Sequence, residues 1–133
     1  MTHTVFRSLL WVNVALVAAA AAAAVSPPYS EALAIAYENE PPTWLMKNPW
    51  IYGGVTVSLL AAWLAGLVGL FLYKKWGRTL SLYVTAATLL ISPFFGVMLS
   101  SGIESALFEA SSMVWGALLA LSYFSPISDR FGR

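Results

Sequence analysis

The chain has 133 residues, 59% hydrophobic and only 10% charged, against about 25% charged in a typical soluble domain. Four membrane spans of roughly 20 residues each use most of that length, so residues 1–133 read as one integral membrane domain with no separate soluble part. The formal net charge of +1 gives no support to a nucleic-acid partner, and the absence of cysteine excludes disulfides, thiolate nucleophiles and cysteine metal sites.

The first span is expected over residues 8–25. Arg7 precedes Leu9, Leu10, Trp11, Val12, Val14, Leu16 and Val17, and seven alanines follow over residues 18–24. Alanine barely favours lipid, which makes this the weakest span. A basic residue, an apolar run and small residues are also the layout of a secretory signal peptide. The run is long for a signal core of roughly 7–15 residues, so an uncleaved anchor is the expectation. Asn13 is a polar side chain inside this span, at a depth near Thr85, and an interhelical hydrogen bond is its expected use.

The loop over residues 26–48 is bracketed by Pro27, Pro28, Pro41 and Pro42. Residues 30–38 favour a short helix with Leu33, Ala36 and Tyr37 on one face. It reads as a connector resting on lipid headgroups, with a lid or docking element as the alternative. The second span is expected over 49–73, with Asn48 as N-cap and Pro49 at the first helical position, where its missing N–H costs nothing. The third, over 79–100, contains Pro93, which removes the donor for the Leu89 carbonyl and predicts a kink. The fourth, over 102–124, opens with Ser101 and Glu104 spaced as a capping box and closes before Ser125 and Pro126. Pro126, Ile127 and Phe131 then form either an interfacial segment or a partner contact.

Charge gives the orientation. Arg7, Lys74, Lys75, Arg78, Arg130 and Arg133 lie in the terminal tails and the middle loop, leaving only Lys47 among the seven basic residues on the other side. Five of the six acids lie opposite, Asp129 being the exception. Basic loops stay in the cytoplasm, which predicts an all-α transmembrane four-helix bundle with both termini cytoplasmic and the short helix periplasmic. Trp44, Trp50 and Tyr52 at one interface, and Tyr73, Trp76, Tyr83, Tyr123 and Phe124 at the other, suit aromatic belts. Lys74, Lys75 and Arg78 carry the topology signal and can also attract anionic lipid headgroups.

Small residues mark expected packing faces, because helices in lipid associate through close backbone approach. Gly54, Ser58, Ala62 and Gly66 recur at intervals of four in the second span. Thr88, Ser92, Gly96 and Ser100 do so in the third, and Ser112, Gly116 and Ala120 in the fourth. Glu109 is the expensive residue: about 12 Å below Ser101 at the helical rise, an unpaired carboxylate would cost up to about 2.5–3.5 kcal/mol at mid-membrane. Ser58 and Ser92 fall at the same count from their own span ends, and a three-residue polar site with Glu109 is one expectation. A carboxyl near the outer surface, neutral, snorkelling or paired with Lys47, is the plainer one.

No HExxH, GxSxG, phosphate-binding glycine loop or paired-carboxylate motif occurs, so no catalytic residue, metal ligand or cofactor is expected. The segments Gly69-Leu70-Phe71-Leu72-Tyr73-Lys74-Lys75-Trp76-Gly77-Arg78 and Gly116-Ala117-Leu118-Leu119-Ala120-Leu121-Ser122-Tyr123-Phe124-Ser125-Pro126 resemble small bacterial four-pass membrane proteins of uncharacterised function. That resemblance implies a bacterial inner membrane and carries no activity across. The expected function is a non-enzymatic accessory or assembly subunit whose partners are membrane lipids and another membrane protein or further copies of itself. The alternative is a small oligomeric transporter or channel with a proton or cation site at Glu109.

Overall fold

The computed structural model describes residues 3–25 and 30–132; Pro27, Pro28 and Arg133 lie outside them. Every regular element in those residues is helical: α1 (His3–Val25), α2 (Glu31–Glu38), α3 (Pro49–Phe71), α4 (Lys75–Ile91) and α5 (Gly102–Phe124), with 3-10 segments at Ser92–Phe95 and Pro126–Gly132. Four of the helical stretches, His3–Val25, Pro49–Phe71, Lys75–Phe95 and Gly102–Phe124, are long and apolar enough to cross a membrane.

The helix ends follow local chemistry. Ser30 caps α2 by accepting from the Leu33 amide. At α5 both halves of the capping box form: Ser101 Oγ accepts from the Glu104 amide at 3.1 Å, and the Glu104 carboxylate accepts from the Ser101 amide at 3.3 Å. Pro49 takes the first turn of α3, but the Asn48 side chain does not cap it. Its amide donates back to the Trp44 carbonyl at 3.0 Å instead.

Two expected boundaries move. The chain reverses between α3 and α4 in only three residues, so Lys75 and Arg78 sit on α4 and not in a loop. Gly69 and Leu70 accept from the Lys74 and Tyr73 amides at 2.9 and 3.2 Å, a Schellman pattern that closes α3. The residue in its left-handed position is Tyr73, at φ 53°. At the other end, helix does not continue to Ser100. Pro93 stops α4, Ser92–Phe95 tightens into 3-10 helix, and Gly96 turns the chain at φ 77°, a backbone state glycine adopts without steric cost. Ser92 Oγ donates to the Leu89 carbonyl at 3.2 Å, supplying the donor that Pro93 lacks.

The helices pack as two antiparallel pairs, α1 with α5 and α3 with α4. Gly69 and Gly77 meet backbone to backbone between α3 and α4, and a methyl group on either would collide with the other's main chain. The pairs join mainly at one end. The core there consists of Phe6 and Leu10 of α1, Leu67 and Leu70 of α3, Trp115, Leu118 and Leu119 of α5, and Ile127 and Phe131 of the last segment. On α3 every buried residue lies between Gly66 and Leu70, and on α4 none lies beyond Val84. The first and last described residues share this end with Tyr73, hereafter the basic end. At the opposite end Thr43 Oγ1 of the connector donates to the Phe94 carbonyl at 2.9 Å, and the Tyr52 ring of α3 meets the Phe95 ring at 5.5 Å, so the connector and the start of α3 are both tied to the 3-10 segment after α4.

Candidate functional site

Glu109 stands on the outward face of α5, in the half away from the basic end, and is exposed. Ser58 and Ser92 are exposed too, and no hydrogen bond or ion pair joins Glu109 to either of them, to Lys47 or to any other described residue. The expected three-residue polar site is therefore not assembled within this chain. The Leu89 carbonyl, expected to lie open near it, is satisfied by Ser92 of its own helix.

The small-residue stripes divide. Gly66 lies against Ser81 and belongs to the α3–α4 seam, Ala62 is half-buried, and Gly54 and Ser58 are exposed. Gly96 packs on Thr43 in the connector, not against a neighbouring span. Gly116, with Ser112 and Ala120, faces outward, and open space surrounds the Gly116 Cα. The physical reason is register: α5 turns Ser111, Trp115, Leu118 and Ser122 inward, which puts the stripe one residue further round on the opposite side. Glu109, Ser112, Gly116 and Ala120 thus form one continuous outward line at helical spacing.

Inside, a polar layer crosses the bundle. The Asn13 amide donates to the Ser111 carbonyl at 2.9 Å and to Ser111 Oγ at 3.1 Å, linking α1 to α5. One turn along α5, Trp115 Nε1 donates to Thr85 Oγ1 at 2.8 Å while that hydroxyl donates to the Ser81 carbonyl at 2.7 Å. Trp115 also meets the Trp63 ring at 5.7 Å, so one side chain bridges both helices of the α3–α4 pair. Asn13 Oδ1 and Ser81 Oγ are buried without a partner. The Asn13 bond matches its expected use; the Trp115 bond was not foreseen, since a tryptophan in an apolar run gives no sign of which hydroxyl it will reach.

At the basic end Lys74 and Lys75 are exposed, whereas Arg78 is half-buried. Its Nη1 donates to the Ser122 carbonyl at 3.0 Å, and its guanidinium lies over the Tyr123 ring at 4.4 Å and the Phe131 ring at 5.6 Å. Arg78 is a structural cation more than a headgroup contact. Phe131 and Ile127 are buried members of the core, so the last segment docks on its own bundle. Tyr73 packs against His3, Phe6 and Phe131 at 5.2, 5.8 and 5.4 Å between ring centroids. Burial pushes its phenol above the ordinary 10.0, against the smaller opposing pull of Arg7 and Arg130.

The far end carries a cavity of about 350 Å³ lined by Tyr37, Glu38, Glu40, Thr43, Met46 and Val97 among others. No group of three or more His, Asp or Glu side chains stands close enough to hold a metal among the described residues. The whole arrangement offers hydrogen bonds, packing surfaces and a concentration of basic side chains at one end of the bundle. No family model, curated protein or solved structure matches the chain.

Proposed function

We propose that this protein is a non-enzymatic accessory or assembly subunit of a bacterial inner membrane, with both termini and the α3–α4 turn cytoplasmic and α2 periplasmic, working by lateral association in the bilayer. The observation that carries this reading is the outward line Glu109, Ser112, Gly116 and Ala120, none of which the chain uses for its own packing. A carboxyl facing lipid is costly, and a small-residue line beside it permits a second helix to approach closely. A partner span offering a basic or hydrogen-bond-donating side chain at the depth of Glu109 offsets that cost. The basic excess at one end supports the orientation.

The test is a photo-crosslinking residue placed at Gly116, with Val57 on the outer face of α3 as control, in cells making the intact protein. A single stoichiometric membrane protein captured at Gly116, and lost with Glu109→Leu, is the expected result. Equal capture from both positions, or co-purification of nothing in mild detergent, refutes the reading.

A small oligomeric transporter or channel is the second reading, favoured by Glu109 and Ser112 lying side by side on the same line. The chain has no cysteine, so Gly116→Cys alone reports self-association: a disulfide-linked dimer in membranes, together with proteoliposome proton flux abolished by Glu109→Gln, would select it over the accessory reading.

A further inference from the structure

The cavity at the far end is framed by the C-terminus of α2 and the chain that follows it. Glu38 is the last residue of α2, Glu40 stands two residues on, and both line the cavity. Helix C-termini favour cations and disfavour anions, yet the last turn of α2 holds no basic residue. Neither glutamate forms an ion pair with a described residue. Lys47, the one basic residue of the connector, does not line the cavity.

The backbone deepens the imbalance. A carbonyl at a helix end accepts from an amide three or four residues on, and for Glu38 those residues are Pro41 and Pro42, which have no N–H. The Tyr37 carbonyl takes the Glu40 amide at 3.2 Å, so the nearest amide is spent as well. Acceptors therefore collect at this end of α2 without local donors to match them. The opposite wall is hydrocarbon, from Met46 and Val97, and Thr43 fixes it through its bond to the Phe94 carbonyl. At about 350 Å³ the space falls within the range of small-molecule sites, roughly 300–1,000 Å³. The donor set suits a bare metal ion poorly, since no third His, Asp or Glu joins the two glutamates among the described residues.

We propose that this cavity binds a small organic ammonium ion. The N–H groups of the charged head donate to the carboxylates of Glu38 and Glu40 and to the Glu38 carbonyl, and the hydrocarbon body lies on Met46 and Val97. The head supplies the donors that Pro41 and Pro42 withhold, and its charge is the one a helix C-terminus favours. This site is separate from the outward line on α5 and stands whether or not that line binds a partner.

The test titrates the full chain, in phosphatidylcholine nanodiscs, with n-butylammonium and follows the ligand by NMR, with empty nanodiscs as background. Butan-1-ol, its uncharged counterpart, and magnesium ion serve as the other arms. Saturable binding of butylammonium in the millimolar range is expected, at least about tenfold tighter than butan-1-ol. Glu38→Gln with Glu40→Gln should weaken it about tenfold or more, and Glu31→Gln, at the other end of α2, by less than about twofold. Val97→Trp keeps every charge but fills the cavity and should abolish binding. Glu38, Glu40 and Val97 are all exposed, so these variants leave the core intact. Equal affinity for butylammonium and butan-1-ol, equal losses in Glu31→Gln and the double variant, unchanged binding in Val97→Trp, or no signal above empty nanodiscs overturns the site. Displacement of butylammonium by an equivalent of magnesium overturns the organic assignment in favour of a metal ion.

Discussion

Arg78 Nη1 donates to the carbonyl of Ser122 at 3.0 Å, and Ser122 is the residue whose intrahelical donor would be the amide of Pro126. Proline has no such N–H. The arginine therefore fills, from a different helix, the vacancy that Pro126 leaves at the end of α5. It also sets a positive charge at a helix C-terminus, where the macrodipole favours one.

Arg78→Ala should accordingly destabilise the bundle by about 1.5–3 kcal/mol, the range for a hydrogen bond to a charged group. Arg78→Lys should recover only part, because an ammonium lacks the planar fork and stacks less well on Tyr123 and Phe131. Reversible unfolding in mixed detergent measures both. An Arg78→Ala protein as stable as wild type would remove the bond from any account of how the two helix pairs stay together.

Gly77→Ala and Gly69→Ala should each cost about 1–3 kcal/mol, since overpacking against backbone cannot be relieved by a rotamer change. Gly116→Ala has open space beside it and should leave monomer stability unchanged or raise it by up to about 1 kcal/mol through helix propensity. Thermal melts of the three variants decide whether the α3–α4 contact is as tight as described.

Asn13→Leu should change stability by less than about 1 kcal/mol, because interhelical hydrogen bonds in lipid average about 0.6 kcal/mol and Asn13 Oδ1 has no partner. Losing the amide also removes a buried unsatisfied acceptor. A loss several times larger, measured in the same unfolding assay, would mean that Oδ1 is bonded to something, such as an internal water.

Phe131→Ala should cost about 3–5 kcal/mol by opening a cavity beneath Phe6 and Tyr73, a large effect for a residue in a terminal segment. Limited proteolysis supplies a second readout: cleavage near Arg130 should be slow in the wild type and fast in the variant. Equal cleavage rates would show that the segment does not dock.

Much of the helix punctuation was legible from single residues. The Ser101 and Glu104 box, Pro49 at the head of α3 and the stop before Ser125 all formed as their chemistry requires, because caps act within one turn, whereas Ser30, counted inside the expected short helix, proved to be its cap. Pro93 was legible as an interruption, but its outcome was not. Kink or termination depended on Gly96 three residues later and on the connector at Thr43. The Glu109, Ser58 and Ser92 grouping failed for a related reason: equal depth in three spans says nothing about which way each helix is rotated.

Sequence alone determined the number of apolar helices, their order and the concentration of basic residues at one end, since length, hydropathy and charge are properties that each segment carries by itself. Tertiary structure decided which faces meet. In lipid an apolar face gains little by burial against another apolar face, so composition leaves α3 nearly indifferent to its own rotation. Contacts between distant residues make the choice: Gly69 on Gly77, Asn13 on Ser111, Trp115 on Thr85, and Arg78 on the carbonyl that a proline left open.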